Sequence, residues 1–186
     1  TGMTSYEWIV AYFGTVNSGS VAVPLDVSLP AEEMCELIDR ADAAVFVVDE
    51  VRKDVIAIVR ERCPKLKYVI SMQQKESTDT LLSFSQLLKE HAGSFDHWAN
   101  PEALCTIMFT SGTTGKSKGV MLTQRNMAET ATCLDMKIPA RTVVLSVLPI
   151  HHAYCLSMDI LKGISLGSVI CINDSLIRVA KNIKLF

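Results

Sequence analysis

The sequence predicts an α/β fold, a mainly parallel sheet with crossover helices, and three observations carry the prediction. Short apolar runs such as 43–48 and 104–109 are bounded by acids or polar turns, as strands buried on both faces are. Other stretches space their apolar residues at helical intervals. The two kinds of segment alternate along the chain, which is the pattern of strand–helix–strand crossovers.

In order, Thr4-Ser5-Tyr6-Glu7 has the form of a capping box, and Trp8, Ile9, Tyr12, Phe13 and Val16 follow at helical spacing. Trp8 and Tyr12 are read as core residues. Gly19 is placed to close that helix, and 21–25 reads as a short strand. Pro30 stands just inside a second helix, 30–41, with Met34, Leu37 and Ile38 on one face. After strand 43–48 come a helix near 51–62, strand 68–71, a helix near 83–91 and strand 104–109. Beyond a glycine- and hydroxyl-rich stretch the pattern gives strand 120–122, a helix around 125–134 and strand 142–147. A helix around 156–164, strand 169–172 and an amphipathic segment, 175–186, complete it.

At 186 residues the chain fits one domain or a large part of one, with 49% hydrophobic and 20% charged residues. A net charge of −2, with both signs interspersed, gives no footprint for nucleic acid or an anionic membrane surface. The longest uncharged run, 142–158, contains Pro149 and two histidines and falls short of the ~18–20 apolar residues of a membrane span. The six cysteines form no CxxC pair and no zinc-spaced cluster, so they read as small core hydrophobes in a reducing cytosol. No signal peptide is expected ahead of the domain, and the sequence opens on Thr1 rather than on an initiator Met. Both ends read as cut from a longer protein.

The informative stretch runs from Phe109 to Val120: Phe-Thr-Ser-Gly-Thr-Thr-Gly-Lys-Ser-Lys-Gly-Val. Glycines let backbone N–H groups turn toward an anion, hydroxyls add donors, and lysine supplies a compact positive charge. A Walker A loop would need glycine where Thr110 stands, and Gly112 is too close to Gly115-Lys116-Ser117. The spacing excludes that motif.

The stretch resembles the signature of the adenylate-forming enzymes, aromatic-Thr-Ser-Gly-Thr-Thr-Gly-x-Pro-Lys-Gly-Val, with Ser117 in place of the usual proline. The likeness covers nearly the whole chain. Residues 6–25 resemble the family's helix-then-strand segment, Met121-Leu122-Thr123-Gln124-Arg125-Asn126 its "v.lTHrN" with Gln124 for histidine, and Leu148-Pro149-Ile150-His151-His152 its "LPlfH". The resemblance implies that the chain, 1–186, is an incomplete part of the large N-terminal domain, with the C-terminal domain lying outside it. It implies that Thr110, Ser111, Gly112, Thr113, Thr114 and Gly115 wrap the ATP β/γ-phosphates and that Lys118 is their charge partner, Lys116 falling at a variable position. His152 is implied at the edge of the acyl pocket, with a histidine merely satisfied in a loop as the competing reading.

The function implied by the resemblance is that of a piece of an ATP-dependent acyl-CoA synthetase, of the fatty-acid type, using ATP, Mg²⁺ and coenzyme A on a small-molecule carboxylic acid whose chain length stays open. The stretch for adenine and Mg²⁺, the ribose aspartate and the catalytic lysine are all expected outside the chain. No catalytic residue or metal ligand is therefore assigned within it, and the piece alone is expected to be inactive. The parent is expected to be cytoplasmic. Two alternatives stay open: an amino-acid or aryl-acid adenylation domain, and a non-catalytic nucleotide-binding module. An amino-acid substrate would want an aspartate near His152, and 151–155 contains none.

Overall fold

The computed structural model describes residues 1–94, 96, 98–110, 117–173 and 175–185. Helix α1 (Tyr6–Asn17) starts one residue later than a cap on Thr4 would place it. Ser5 is the N-cap, its hydroxyl accepting the Trp8 N–H at 3.1 Å. Thr4 Oγ1 instead accepts the Ile150 N–H at 3.2 Å, tying the start of the chain to a distant loop. Past the helix, Gly19 takes a left-handed φ of +80°, and a Cβ there would lie 3.1 Å from the Trp98 ring. Only glycine meets both demands.

The strand expected over 21–25 shrinks to one parallel bridge, Ala22 to Thr106. Ala22 donates to the Cys105 carbonyl at 2.8 Å and accepts from the Ile107 N–H at 2.9 Å. The next donor of a parallel ladder falls two residues on, at Pro24, which has no N–H.

Helix α2 (Ala31–Arg40) begins after Pro30 and buries Met34, Leu37 and Ile38 as its pattern requires. They share a core with Phe46 and Val48 of β1 (Val45–Val48), Val69 of β2 (Tyr68–Ser71), and Val59 of α3 (Ile56–Arg62). The helix expected near 51–62 is broken: a 3₁₀ segment, Glu50–Val55, precedes α3. At the break Arg52 leaves helical geometry (φ −120°, ψ 28°), and its guanidinium donates to the Leu29 carbonyl at 2.8 Å and to the Val27 carbonyl. β3 (Leu82–Ser83), too short to be read from the sequence, extends β1 and β2 to a parallel sheet in the order β1-β2-β3 and leads into α4 (Phe84–Glu90).

β4 (Leu104–Thr110) and β5 (Lys118–Thr123) break the parallel pattern by pairing antiparallel. Positions 111–117 are too few for a crossover, which takes about a dozen residues or more. Thr123 then caps α5 (Gln124–Thr132) in a reciprocal capping box with Asn126. β6 (Val143–Ser146) and β7 (Val169–Ile172) are parallel, joined through a π-helical segment, Cys155–Leu161, that continues into α6 (Lys162–Ser165). The amphipathic end holds a 3₁₀ turn, Leu176–Arg178, and α7 (Val179–Asn182).

A second core gathers Trp8 and Tyr12 of α1, Cys105 and Met108 of β4, Met127 of α5, and Leu156 and Ile160 of the π segment. Each fully buried Leu, Ile or Met contributes about 1.5–3 kcal/mol through the water it sheds. Among the described residues no helix is long and apolar enough to cross a membrane.

Candidate functional site

The antiparallel hairpin brings the two ends of the glycine-rich stretch together. Thr110 and Lys118 form the last pair of the β4–β5 register, and Thr110 Oγ1 donates to the Lys118 carbonyl at 3.5 Å. Both residues are exposed and paired across the hairpin. The other residues predicted to wrap phosphate, Ser111, Gly112, Thr113, Thr114 and Gly115, lie outside the described residues, as does Lys116. One pair back, Phe109 faces Gly119. A Cβ at 119 would approach Ile107 Cγ2 to 3.1 Å and Phe109 Cε1 to 3.3 Å, so a larger residue would crowd the strand that carries Lys118. The Phe109 ring packs on the core of α2, β1 and β2.

Helix α2 meets the outgoing end of this stretch. Arg40 Nη2 donates to the Ser117 carbonyl at 2.9 Å, and the guanidinium carbon sits 5.3 Å from the centroid of the Phe109 ring. Ser117 Oγ donates to Glu33 Oε1 at 3.5 Å. Both residues lie off the buried face of α2, and sequence spacing carries no signal of which loop they would meet.

His152 stands elsewhere. It is exposed, beside His151 with ring centroids 4.3 Å apart, on a cleft of about 310 Å³ between the segments around Thr4, Asp26, Pro149 and Ser175. Neither Thr110 nor Lys118 is among the described residues lining that cleft. His151 rather than His152 is the buried member. Its Nε2 lies 3.5 Å from Asp26 Oδ2 and, among the described residues, makes no hydrogen bond. Burial lowers the His151 pKa and His152 adds to this, while Asp26 opposes it. Burial alone would raise the Asp26 carboxyl. The Ser28 backbone N–H and hydroxyl outweigh it, with help from the two histidines, and hold the group below its usual range. Asp26-Val27-Ser28 has the form of an Asx turn, the one signal by which this carboxylate could have been singled out.

A smaller cavity of about 200 Å³ opens between β6 and the π segment, lined in part by Val144, Tyr154, Met158 and Lys162. Lys162 is 5% exposed and its ammonium donates to the Leu134 carbonyl. Nearby, burial pushes the Cys155 thiol up to about 11; the Ser146 contact opposes the shift and Asp159 adds to it. A thiol so shifted is a poor nucleophile. Cys35, Cys63 and Cys105 are buried as core hydrophobes, whereas Cys133 is exposed, against expectation. Among the described residues no group of three or more His, Cys, Asp or Glu side chains could hold a metal ion.

The AMP-binding enzyme family matches this chain over residues 2–184. The chain belongs to that family. Among curated relatives of this AMP-binding chain is a long-chain-fatty-acid–CoA ligase of Xenopus laevis, 31% identical over 175 residues, 86% of this chain and 24% of the relative. Another is a medium-chain fatty-acid–CoA ligase of Escherichia coli, 27% identical over 155 residues, 79% of this chain and 27% of the relative. The chain thus spans about a quarter of the length of these relatives. Its fold matches an anthranilate CoA ligase in complex with anthranoyl-AMP, with a TM-score of 0.86 at 20% identity over 98% of this chain and 36% of that one. It also matches a luciferase of Phrixothrix hirtus, with a TM-score of 0.81 at 19% identity over 92% and 35%. The expected α/β architecture is therefore that of adenylate-forming enzymes.

Proposed function

We propose that this chain supplies the ATP-phosphate grip of an acid–CoA ligase that activates a carboxylic acid as its adenylate. The observation that carries the reading is the β4–β5 hairpin, which sets Thr110 and Lys118 side by side at the two ends of the glycine-rich stretch. In this reaction a carboxylate oxygen attacks the α-phosphorus of ATP. The bond to the β-phosphate breaks, and pyrophosphate leaves with its electron pair. The sulfur of coenzyme A then attacks the acyl carbon, losing its proton, and AMP departs. Charge builds on the departing pyrophosphate, where fixed donors and cations lower the barrier most. The Thr110 hydroxyl, the Lys118 ammonium and residues 111–115 take that role here. Magnesium, required by the chemistry, would be held by groups outside this chain.

A fatty acid is the proposed substrate, on the strength of the two ligases above, and His152 is the proposed edge of its pocket. The site works in the cytoplasm, and the piece alone turns nothing over. The test is ATP–pyrophosphate exchange in a protein carrying this chain at the length of its relatives, offered fatty, aryl and amino acids in turn. Exchange dependent on fatty acids, and reduced at least tenfold in Lys118→Ala or Thr113→Ala, is expected from the loss of one charge-stabilising contact. Exchange with aryl or amino acids only would move the substrate class. A folded protein that binds ATP but exchanges with no acid would leave a nucleotide-binding module.

A further inference from the structure

The phosphate stretch departs from the signature it resembles at one described position, where Ser117 replaces proline. Proline there would fix φ and stiffen the segment leading into Lys118. Serine gives up that stiffness, and the structure has something in its place. Arg40 caps the Ser117 carbonyl at 2.9 Å while its guanidinium lies over Phe109, the residue before Thr110. Glu33, on the same helix, takes the Ser117 hydroxyl at 3.5 Å. One helix therefore holds both ends of the stretch, the incoming end through a ring and the outgoing end through a backbone carbonyl and a side chain. The helix is itself fixed, since Met34, Leu37 and Ile38 anchor it in the core on which Phe109 packs.

We propose that Glu33 and Arg40 are positioning residues for the phosphate stretch, setting the direction in which Lys118 leaves it and standing in for the proline. The inference rests on the reading of 110–119 as an ATP-phosphate grip. Neither residue needs to touch the nucleotide. Arg40 Nη1 also lies 3.6 Å from Glu36 Oε1, one turn back on α2. The geometry calls for arginine in particular. A planar guanidinium can donate in its plane to a carbonyl and lay its face on a ring, and a lysine ammonium cannot do both.

The test uses a protein carrying this chain at the length of its relatives, with Arg40→Gln, Arg40→Lys, Glu33→Gln, and Arg40→Gln combined with Ser117→Pro. Two quantities are read: amide hydrogen exchange at 118–119 without nucleotide, and the MgATP dissociation constant. Losing the carbonyl cap and the ring contact, each worth roughly a three- to fivefold change, should weaken ATP binding about tenfold in Arg40→Gln and speed exchange by a similar factor. Glu33→Gln should give a smaller change of the same sign. Proline at 117 should return both readouts to within about threefold of the parent chain, because it restores rigidity without touching charge. Lysine at 40 should fail to restore slow exchange.

Unchanged exchange at 118–119 in Arg40→Gln overturns the proposal. So does full rescue of ATP binding by lysine with none by proline, since that would make Arg40 a plain electrostatic partner of the phosphates. If the parent chain binds no ATP, the phosphate reading fails, and the exchange comparison still decides whether α2 positions the stretch. Arg40 is exposed, so its replacement leaves the core intact, and a thermal melt of each variant confirms folding.

Discussion

Tyr12 and Thr106 offer the sharpest test of how α1 is held against β4, the strand that leads into the glycine-rich stretch. Their oxygens are 2.9 Å apart, with Tyr12 6% and Thr106 0% exposed. Tyr12→Phe removes the phenol oxygen and leaves the Thr106 hydroxyl with a 3.5 Å contact to Cys105 Sγ among the described residues. Thr106→Val does the reverse, stranding the phenol. Each single substitution should cost about 1–2 kcal/mol, the net bond plus part of the penalty for a buried polar group without a partner. The double variant should cost little more than either single, giving a coupling of about 1–2 kcal/mol. In a chain of this size each kcal/mol corresponds to about 2–4 °C of Tm. Burial also raises the phenol pKa from 10.0 to about 12, with the Thr106 bond opposing and Cys105 adding. The folded state thus favours the neutral phenol, so this stability is intact below pH 10 and is lost as pH rises toward 12. Urea unfolding of the four proteins at neutral pH, repeated at alkaline pH, measures both effects. Singles within about 0.3 kcal/mol of the parent, or a strictly additive double, would rule out the coupling.

The same unfolding assay reads His151 at the acid end. Its lowered pKa means the folded state favours neutral imidazole, so its stability is present above the ordinary 6.5 and falls as pH drops below it. His151→Phe should flatten the slope between neutral pH and pH 5, and an unchanged slope would show that His151 does not carry it. Gly19→Ala should destabilise by about 1–2 kcal/mol, since alanine disfavours a positive φ and its Cβ meets Trp98. A neutral result would mean that the turn after α1 relaxes freely. With a thiol reagent at pH 8, Cys133 should react first, because Cys63 and Cys155 are both pushed up to about 11, chiefly by burial. Fast modification of Cys35, Cys63, Cys105 or Cys155 would contradict the burial described.

The architecture was legible wherever one physical signal dominated. α2 announced itself through Met34, Leu37 and Ile38 because a single face meets a single core. The failures occur where a local rule was overridden. Pro24 cut the strand at 21–25 to one bridge, a consequence the sequence held openly but that only the ladder's donor spacing brings out. Arg52 broke the next helix by reaching two carbonyls of a loop that precedes it by more than twenty residues, and no local pattern encodes such a partner. The antiparallel turn of β5 could have been read from the shortness of 111–117. Residue type and order single out Thr110 and Lys118 as candidates, while the helix that meets the adjoining Phe109 and Ser117 is set by tertiary packing, which leaves no periodic trace. Asp26 could have been found through its Asx turn, although its place beside His151 is set by packing.

β4 has a further consequence. Its Cys105 and Met108 belong to one core, and the next residue, Phe109, packs on the other. The strand works as a hinge pin common to two bodies of side chains. Neither body can melt without releasing β4, so tryptophan fluorescence from Trp8 in the first core and exchange of the β1–β2 amides in the second should report one coincident transition. A ligand held just past Phe109 would then raise the melting temperature of the whole molecule.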